Sequence, residues 1–346
     1  MAAGYTTSLL LNAQAILDER MEKPEFRHEP YYLIQLMRER GMNLFSKTTL
    51  DQLKTSDSRT VETFVMAKRA ADVATARAHN HTLNAFGDSQ KVTLSFTIGA
   101  YKYGVSLKMG GRNIYDRASM LATDLRSQAI AGNNVIEAAA AAYLEANMTQ
   151  TNGASTSYDG GTLGDWNSTD YVWEIPAVSE DYIFQYIQEI MAINDYDTAL
   201  DIVCDNVGWT VGEQKRAQGS GNQTNLGWQM DNLNIVKSRR VVDSNYKATF
   251  YVMPAGTVGM VDRIPKENKE GHDLKNYTYS NMSDPLGTGM QLATHYYETG
   301  ADNSSTGAET QDVTFEYENS NDYSFVKAPL SSGANDTPIF KFGLKG

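Results

Sequence analysis

The stretch Asn113–Thr149 decides the fold: NIYDRASMLATDLRSQAIAGNNVIEAAAAAYLEANMT. Its apolar and small residues recur every three or four positions, which places them on one face of a helix. The alanine run that follows Glu137 has very high helix propensity. At a rise of 1.5 Å per residue the helix would span roughly 50 Å, far more than an ordinary helix of about 11–12 residues. The predicted apolar face consists of Leu121, Leu125, Ala129, Gly132, Ile136, Ala140 and Leu144.

The composition is that of an acidic, folded chain. Its 346 residues suffice for about two domains, and a hydrophobic fraction of 41% can fill their cores. The net charge of −12 argues against a protein that wraps nucleic acid by neutralising phosphates, but not against one that encloses it at a distance. The one cysteine, Cys204, lies in an apolar run, so we expect it to be buried. We find no secretory-signal pattern and no apolar run long enough for a membrane helix.

The segment before the long helix divides into an arm and a hairpin. Two short amphipathic helices are predicted near 8–22 and 31–40, with Gly41 as the C-terminal cap of the second. They cannot bury much against each other, so we expect them to lie along another surface, of this chain or of a neighbour. Alternating residues then predict strands at Thr60–Met66 and Lys91–Ile98, and Tyr101–Lys108 continues the pattern.

The segment after the long helix mixes helices and strands. Residues 150–178 are rich in Gly, Ser, Thr and Asn, which predicts a surface loop or insertion. A helix capped by Ser179 is predicted to run to Asn194. The further predicted elements are strands at Leu200–Cys204, 234–236, 241–242, Ala248–Met253, Val258–Val261, Met290–Tyr297 and Asp312–Tyr317, and a helix at Asn206–Ala217.

This order of elements resembles the major capsid proteins of tailed bacteriophages, whose fold is named after phage HK97. The resemblance implies an α+β, HK97-like capsid fold with an N-terminal arm (1–57), an extended E-loop hairpin (58–112), a P domain with the long spine helix (113–178 and 266–346) and an A domain (179–265). It rests on element order and length, because the family has no invariant catalytic motif. We expect no scaffolding segment before the arm, so assembly would need a separate scaffolding protein or none.

For function, the resemblance implies a virion structural protein rather than an enzyme. Copies would assemble as pentamers and hexamers into an icosahedral head that encloses double-stranded DNA without binding it specifically. A portal and decoration proteins are further expected partners, and the chain would be made in the host bacterial cytoplasm. No cofactor, metal or membrane is expected. The alternatives are an encapsulin-like compartment shell, another virion structural protein, and an enzyme or sugar-binding β protein.

Charged residues of the hairpin and the spine helix are the candidate intersubunit contacts. In the resembled family the E-loop touches a neighbouring P domain, so basic hairpin residues would meet acidic residues of the adjacent spine. Plain surface charge is the alternative interpretation. The candidates are Arg69, Arg77, Lys91, Arg112, Asp116, Asp124 and Glu137.

Other chemistry has weak support in the sequence. His79 and His81 could share one face of a strand, but a zinc site needs three or four ligands. Asp195, Asp197 and Asp201 resemble the start of a calcium loop without its glycine and its terminal Glu, so we expect a solvated helix end. No phosphate-binding glycine loop and no nucleophile elbow occurs.

Overall fold

The fold is α+β, as predicted; its described residues form long helices and three separate sheets, one of which is a two-stranded ribbon. The structure is a computed structural model. It describes residues 2–44, 50–52, 58–66, 89–106, 114–148, 157–158, 164–194, 196, 199–219, 232–265, 278–299, 314–327 and 338–346.

The predicted long helix is present. Helix α3 (Ile114–Ala146) contains 33 residues, and the predicted apolar face is buried at every position except Gly132. Gly132 has a different role: a Cβ atom there would lie 2.8 Å from the ring of Tyr101. The glycine therefore lets strand and helix approach closely.

An antiparallel sheet packs against α3. Its central strand is the longest, and one face of the sheet buries Tyr103, Phe315 and Tyr317 against Leu121 and Leu125 of the helix. Its strands are β3 (Thr97–Ser106), β10 (Val258–Arg263), β11 (Thr278–Ser283), β12 (Gln291–Thr299) and β13 (Thr314–Lys327).

The predicted hairpin consists of β1 (Thr60–Met66) and β2 (Ser89–Ser95), paired antiparallel from Thr60↔Ser95 to Met66↔Ser89. Within the described residues these two strands pair only with each other. The hairpin segment predicted at 58–112 also contains β3, but β3 pairs with β13 instead. The chain thus enters the antiparallel sheet directly after Phe96.

A mixed sheet forms the second layer. The strands of this sheet follow the order β4-β5-β6-β14-β9-β7-β8. Two helices, α4 (Ile183–Ile193) and α5 (Asn206–Gly219), share its apolar core. Its strands are β4 (Ser157–Tyr158), β5 (Gly164–Asn167), β6 (Val172–Ile175), β7 (Leu200–Cys204), β8 (Leu233–Lys237), β9 (Ala248–Pro254) and β14 (Phe340–Leu344).

The mixed sheet corrects the prediction of a surface loop at 150–178. Strand β6 pairs parallel with β14, and Trp173 and Ile175 are buried in its core. The segment after the long helix thus forms one side of the sheet, together with the C-terminal strand. Strands β9 and β10 do not pair with each other: β9 lies in the mixed sheet and β10 in the antiparallel sheet. The predicted A domain, residues 179–265, thus contains strands of both sheets.

The N-terminal helices cover the chain's own core. Helix α1 (Ala2–Glu22) buries Leu9 and Leu17 with residues of α3, and helix α2 (Tyr32–Leu44) buries Leu33 and Ile34 in the core between the sheets. The two helices were expected to lie along a surface of this chain or of a neighbouring chain. The contacts that the structure describes for them are with this chain.

Three local predictions are wrong. Gly41 does not cap α2, because the helix continues to Leu44; a Cβ atom at Gly41 would lie 2.2 Å from the carbonyl oxygen of Met260. Ser179 is buried inside a short 3-10 helix (Ala177–Tyr182), and α4 begins at Ile183 without a side-chain cap. Val241 and Val242 form no strand.

Candidate assembly surfaces

The base of the hairpin is anchored to the antiparallel sheet. Leu94 and Phe96 are buried with Val261 and Val326. Arg263, at the end of β10, lies over the Phe96 ring with its guanidinium carbon 3.9 Å from the ring centroid. A cation over an aromatic face is attractive, most of all when water is excluded. The base is therefore fixed on the chain's own core.

Arg263 also bridges the two sides of this base. Its Nη2 donates to the carbonyl oxygen of Ser58 at 2.7 Å and lies 3.4 Å from Oδ2 of Asp322. Both charged side chains are buried. Arg263 was not singled out in the sequence, because the partner Asp322 lies 59 residues away and no local pattern joins them.

The outer part of the ribbon is more exposed. Lys91, a predicted contact residue, forms an ion pair with Glu62 across the two strands, and about half of each side chain is exposed. The apolar side chains of Val61 and Val92 are only partly buried against the core at the base. Exposed ion pairs of this kind contribute little to stability. Lys91 is accordingly free to change partners at little cost.

The predicted acidic contacts on α3 have different surroundings. Asp116 is exposed. Asp124 is half-buried and its Oδ2 accepts a hydrogen bond from the backbone N–H of Gly104 at 2.9 Å. Glu137 is buried, with 4% of its surface exposed, and accepts a hydrogen bond from Ser238 Oγ at 2.9 Å. Glu137 therefore packs inside its own chain, and its contact with a neighbouring subunit stays a prediction.

Burial also changes the chemistry of Glu137. Desolvation raises the pKa of this carboxyl, and the hydrogen bond from Ser238 opposes that rise only in part. A buried carboxylate with little compensation is more easily protonated than an exposed one.

Some of the predicted residues lie outside the part of the chain that the structure describes. They are Arg69, Arg77, Arg112, His79 and His81.

Asp195, Asp197 and Asp201 were predicted to form a solvated helix end, and for Asp201 this prediction is wrong. This residue is 2% exposed and accepts two hydrogen bonds from Arg40 at 2.9 Å each, plus one from Asn234 Nδ2 at 2.9 Å. Asp195 and Asp197 lie outside the described residues. Because the paired residues are 161 positions apart, no local pattern in the sequence predicts this contact.

The outward face of α3 is almost free of charge. Between Ser127 and Leu144 the sequence contains one charged residue, the buried Glu137. Val135 is 65% exposed, and Ala131, Ala138 and Ala142 are exposed beside it. On an acidic chain, depletion of charge at an exposed face is typical of the core of an interface.

The described residues contain neither a candidate metal-binding group nor a candidate membrane-spanning helix. None of the described His, Cys, Asp and Glu residues form a group of three or more that could hold a metal ion. None of the described helices combines the length and the apolar character required to cross a membrane.

The described fold is similar to solved phage structures. A chain from "Mycobacterium phage Che8" matches with a TM-score of 0.46 and 11% identity, covering 87% of this chain and 89% of that chain. The "Asymmetric unit of bacteriophage PhiM1 mature capsid" matches with a TM-score of 0.43 and 12% identity, covering 84% and 83%. "The capsid of Myoviridae Phage XM1" matches with a TM-score of 0.43 and 10% identity, covering 83% and 86%.

No family model and no curated protein matches the chain. At TM-scores below 0.5 and identities of 10–12%, the structural likenesses do not decide what the chain does. The proposed function rests on its own geometry.

Proposed function

We propose that the chain is the major capsid protein of a tailed bacteriophage, with an HK97-like fold. Many copies would assemble through pentamers and hexamers into an icosahedral head that encloses double-stranded DNA. The role is structural, and catalysis has no part in it. The peripheral part would comprise α3 with the antiparallel sheet, and the axial part the mixed sheet with α4 and α5.

The observation that carries the proposal is the hairpin of β1 and β2. Its strands pair only with each other among the described residues, and its base is held by Arg263 and Phe96. A two-stranded ribbon is marginal in water by itself. A second surface that covers the ribbon would stabilise it, and in a shell of identical subunits that surface is the neighbouring chain.

The long helix supports the same proposal. Helix α3 is about 50 Å long by the standard helical rise, and its outward face carries no exposed charge between Ser127 and Leu144. A rigid strut with an uncharged wall suits a flat subunit that tiles against copies of itself. An acidic chain would also repel packaged DNA and keep it from adhering to the wall.

The proposal includes partners beyond the chain itself. A separate scaffolding protein would guide assembly, and a portal and decoration proteins would complete the head. The assembled protein would reside in the virion after synthesis in the host bacterial cytoplasm. Lys91 and Asp116 are the described charged residues that we propose as contacts between subunits, because both are exposed.

Sedimentation and light scattering of the purified full chain test the proposal. We expect assemblies of many copies that grow with protein concentration. A variant in which residues 62–93 are replaced by a short Gly-Ser turn should remain folded, as judged by circular dichroism and thermal unfolding, but should sediment as a monomer. A parent chain that stays monomeric at high concentration contradicts the shell function. A shortened chain that assembles as well as the parent contradicts only the role of the hairpin.

The nucleic-acid content of particles purified from infected cells separates the phage head from an encapsulin-like compartment. A head should contain double-stranded DNA protected from added nuclease. Particles filled with protein cargo and free of DNA would favour the compartment.

A further inference from the structure

Two arginines of α2 reach different sheets. Arg38 Nε donates to Asp262 Oδ1 on β10 of the antiparallel sheet at 2.9 Å. Arg40 donates from Nε and Nη2 to both carboxylate oxygens of Asp201 on β7 of the mixed sheet, at 2.9 Å each. Positions two residues apart lie about 200° apart around a helix, so the two side chains leave α2 in nearly opposite directions.

The contact with the mixed sheet is built around a buried acid. The side chain of Asp201 is 3% exposed, and Asn234 Nδ2 on the neighbouring strand β8 adds a further hydrogen bond at 2.9 Å. A two-pronged pair between Arg and a carboxylate fixes both distance and angle, which a point charge does not. The pair therefore orients α2 on β7 as well as holding it there.

Helix α2 contacts the antiparallel sheet through its backbone at Gly41 as well as through the charged side chain of Arg38. Gly41 lies so close to β10 that a Cβ atom would be 2.2 Å from the carbonyl oxygen and 2.7 Å from the nitrogen of Met260. Nothing larger than glycine fits, so helix and strand are in direct backbone contact. Arg38 and Gly41 together fix α2 on this sheet.

Between these contacts α2 fills the core shared by both sheets. Leu33, Ile34 and Met37 are buried in one apolar cluster. This cluster includes Val203 and Met253 of the mixed sheet and Val258 and Met260 of the antiparallel sheet. A shift of one sheet relative to the other would have to open this packed cluster.

Helix α3 alone would not fix the angle between the sheets. It contacts the antiparallel sheet through Asp124 and Gly104, and the mixed sheet through Glu145 and Lys341. Contacts along a single helix resist rotation of the sheets about the axis of that helix least. A second bridge displaced from that axis removes this freedom.

We propose that α2 is an internal strap that fixes the angle between the antiparallel and the mixed sheet. Arg40 with Asp201 forms one end of the strap, and Arg38, Gly41 and β10 form the other. The strap stands on contacts within one chain. Its consequence for a shell rests on the proposed function: the sheet-to-sheet angle would set the curvature that each subunit adopts.

Distances between two spin labels test the strap directly. Cysteines are introduced at two exposed positions: Lys102 on β3 of the antiparallel sheet, and Val242 in the segment that connects β8 and β9 of the mixed sheet. The native Cys204 stays in place, because burial raises its pKa to about 12 and shields it from the label. Labelled chain is diluted into unlabelled chain so that only distances within one molecule contribute. The measurement is therefore valid whether or not the protein assembles.

The strap variant is Arg40→Met with Asp201→Asn, which removes the pair without leaving a buried charge. The matched control is Lys247→Gln with Glu180→Gln, because that ion pair lies wholly on the mixed-sheet side of the molecule. We expect the parent and the control to give one narrow distance distribution. In the strap variant the distance distribution should be about twofold broader, because two sheets without the strap sample more than one relative arrangement. The variant should still unfold cooperatively.

A strap variant that is as narrow as the parent and centred at the same distance would overturn the proposal. If the double variant does not fold, Arg40→Lys supplies the test, because it keeps the charge and loses the two-pronged geometry; its distribution should be broader than that of the parent. Shell diameters give a separate test. If the parent forms shells, the strap variant should form shells of mixed diameter. If neither the parent nor the variant forms shells, the proposed function is contradicted, and the distance measurement still tests the strap.

Discussion

The guanidinium of Arg263 lies 3.9 Å from the centroid of the Phe96 ring and fastens the base of the hairpin to the antiparallel sheet. The same side chain holds the carbonyl oxygen of Ser58 at 2.7 Å, at the start of the hairpin. The hairpin thus begins at a fixed and buried point. Any motion of the ribbon must occur beyond Phe96 and Ser58.

Replacing Arg263 should loosen the hairpin. Arg263→Met leaves the buried carboxylate of Asp322 without this partner, and breaking a buried pair typically costs about 3–5 kcal/mol. Urea unfolding measures the loss, and hydrogen exchange should rise most at 58–66 and 89–96. Lys91→Met is the control: its pair with Glu62 is exposed, so its loss should stay below about 1 kcal/mol. Equal losses for the two variants would contradict the anchor.

Gly41→Ala should destabilise the protein although alanine favours helices. The helix gains about 1 kcal/mol from the substitution, but the new Cβ atom would collide with Met260 backbone atoms at 2.2 Å, and overpacking of this kind costs about 1–3 kcal/mol or more. Gly212→Ala in α5 is the matched control, because its nearest neighbour would lie 3.5 Å away, an ordinary contact. Thermal unfolding should show a lower Tm for Gly41→Ala and an unchanged or higher Tm for Gly212→Ala. The reverse order would refute the close contact of α2 with β10.

Asn319 organises a buried polar network in the antiparallel sheet. Its Oδ1 accepts hydrogen bonds from Tyr103 at 3.1 Å and Thr294 at 2.9 Å, and its Nδ2 donates to the Tyr101 hydroxyl at 3.0 Å. Asn319→Ala should lower the free energy of unfolding by about 2–4 kcal/mol, because each buried hydroxyl left unpaired costs about 1–3 kcal/mol. Thr294→Val removes one bond and should cost only about 1 kcal/mol. A loss for Asn319→Ala no larger than that for Thr294→Val would show that the network contributes little.

Asp284 should make stability depend on pH. The residue is 5% exposed, and burial raises its pKa above the ordinary 3.8, against hydrogen bonds from Thr288 and Asn133 that lower it. The folded protein therefore holds the proton more tightly than the unfolded chain does. The stabilisation is complete below about pH 3.8 and is lost as the pH rises through the raised pKa.

Comparison of the parent with Asp284→Asn isolates this residue from the other carboxylates. As the pH is lowered from 7 in steps, the parent should gain stability relative to the variant in urea unfolding. A difference that stays constant at every pH would show that Asp284 holds its proton no more tightly when folded.

The sequence predicted elements better than their assembly. Periodicity alone identified α3 and its buried face, and the apolar run at Leu200–Cys204 identified β7, because both signals are local. It did not reveal that β14 inserts between β6 and β9, since pairing across the whole chain leaves no local trace. The strands β5 and β6 were also not predicted from the sequence, because each has only four residues, lies in a segment of turn-rich composition, and takes its place in the sheet from strands elsewhere in the chain.

The partners of individual side chains could not be predicted from the sequence, because they lie far away along the chain. Glu137, a candidate contact with a neighbouring subunit, is buried and accepts a hydrogen bond from Ser238, which directly follows β8. Gly41 was expected to cap a helix, but it is glycine because Met260 leaves no space. Arg40 and Asp201 look like ordinary surface charges in the sequence, and only the three-dimensional fold joins them.

Electron microscopy of the 346-residue chain expressed alone tests the central claim most directly. The account predicts closed shells, tubes, or discrete rings of five and six subunits, in which the ribbon of one chain lies on its neighbour. A compact monomer that stays monomeric at high protein concentration and in crowding salt would contradict it.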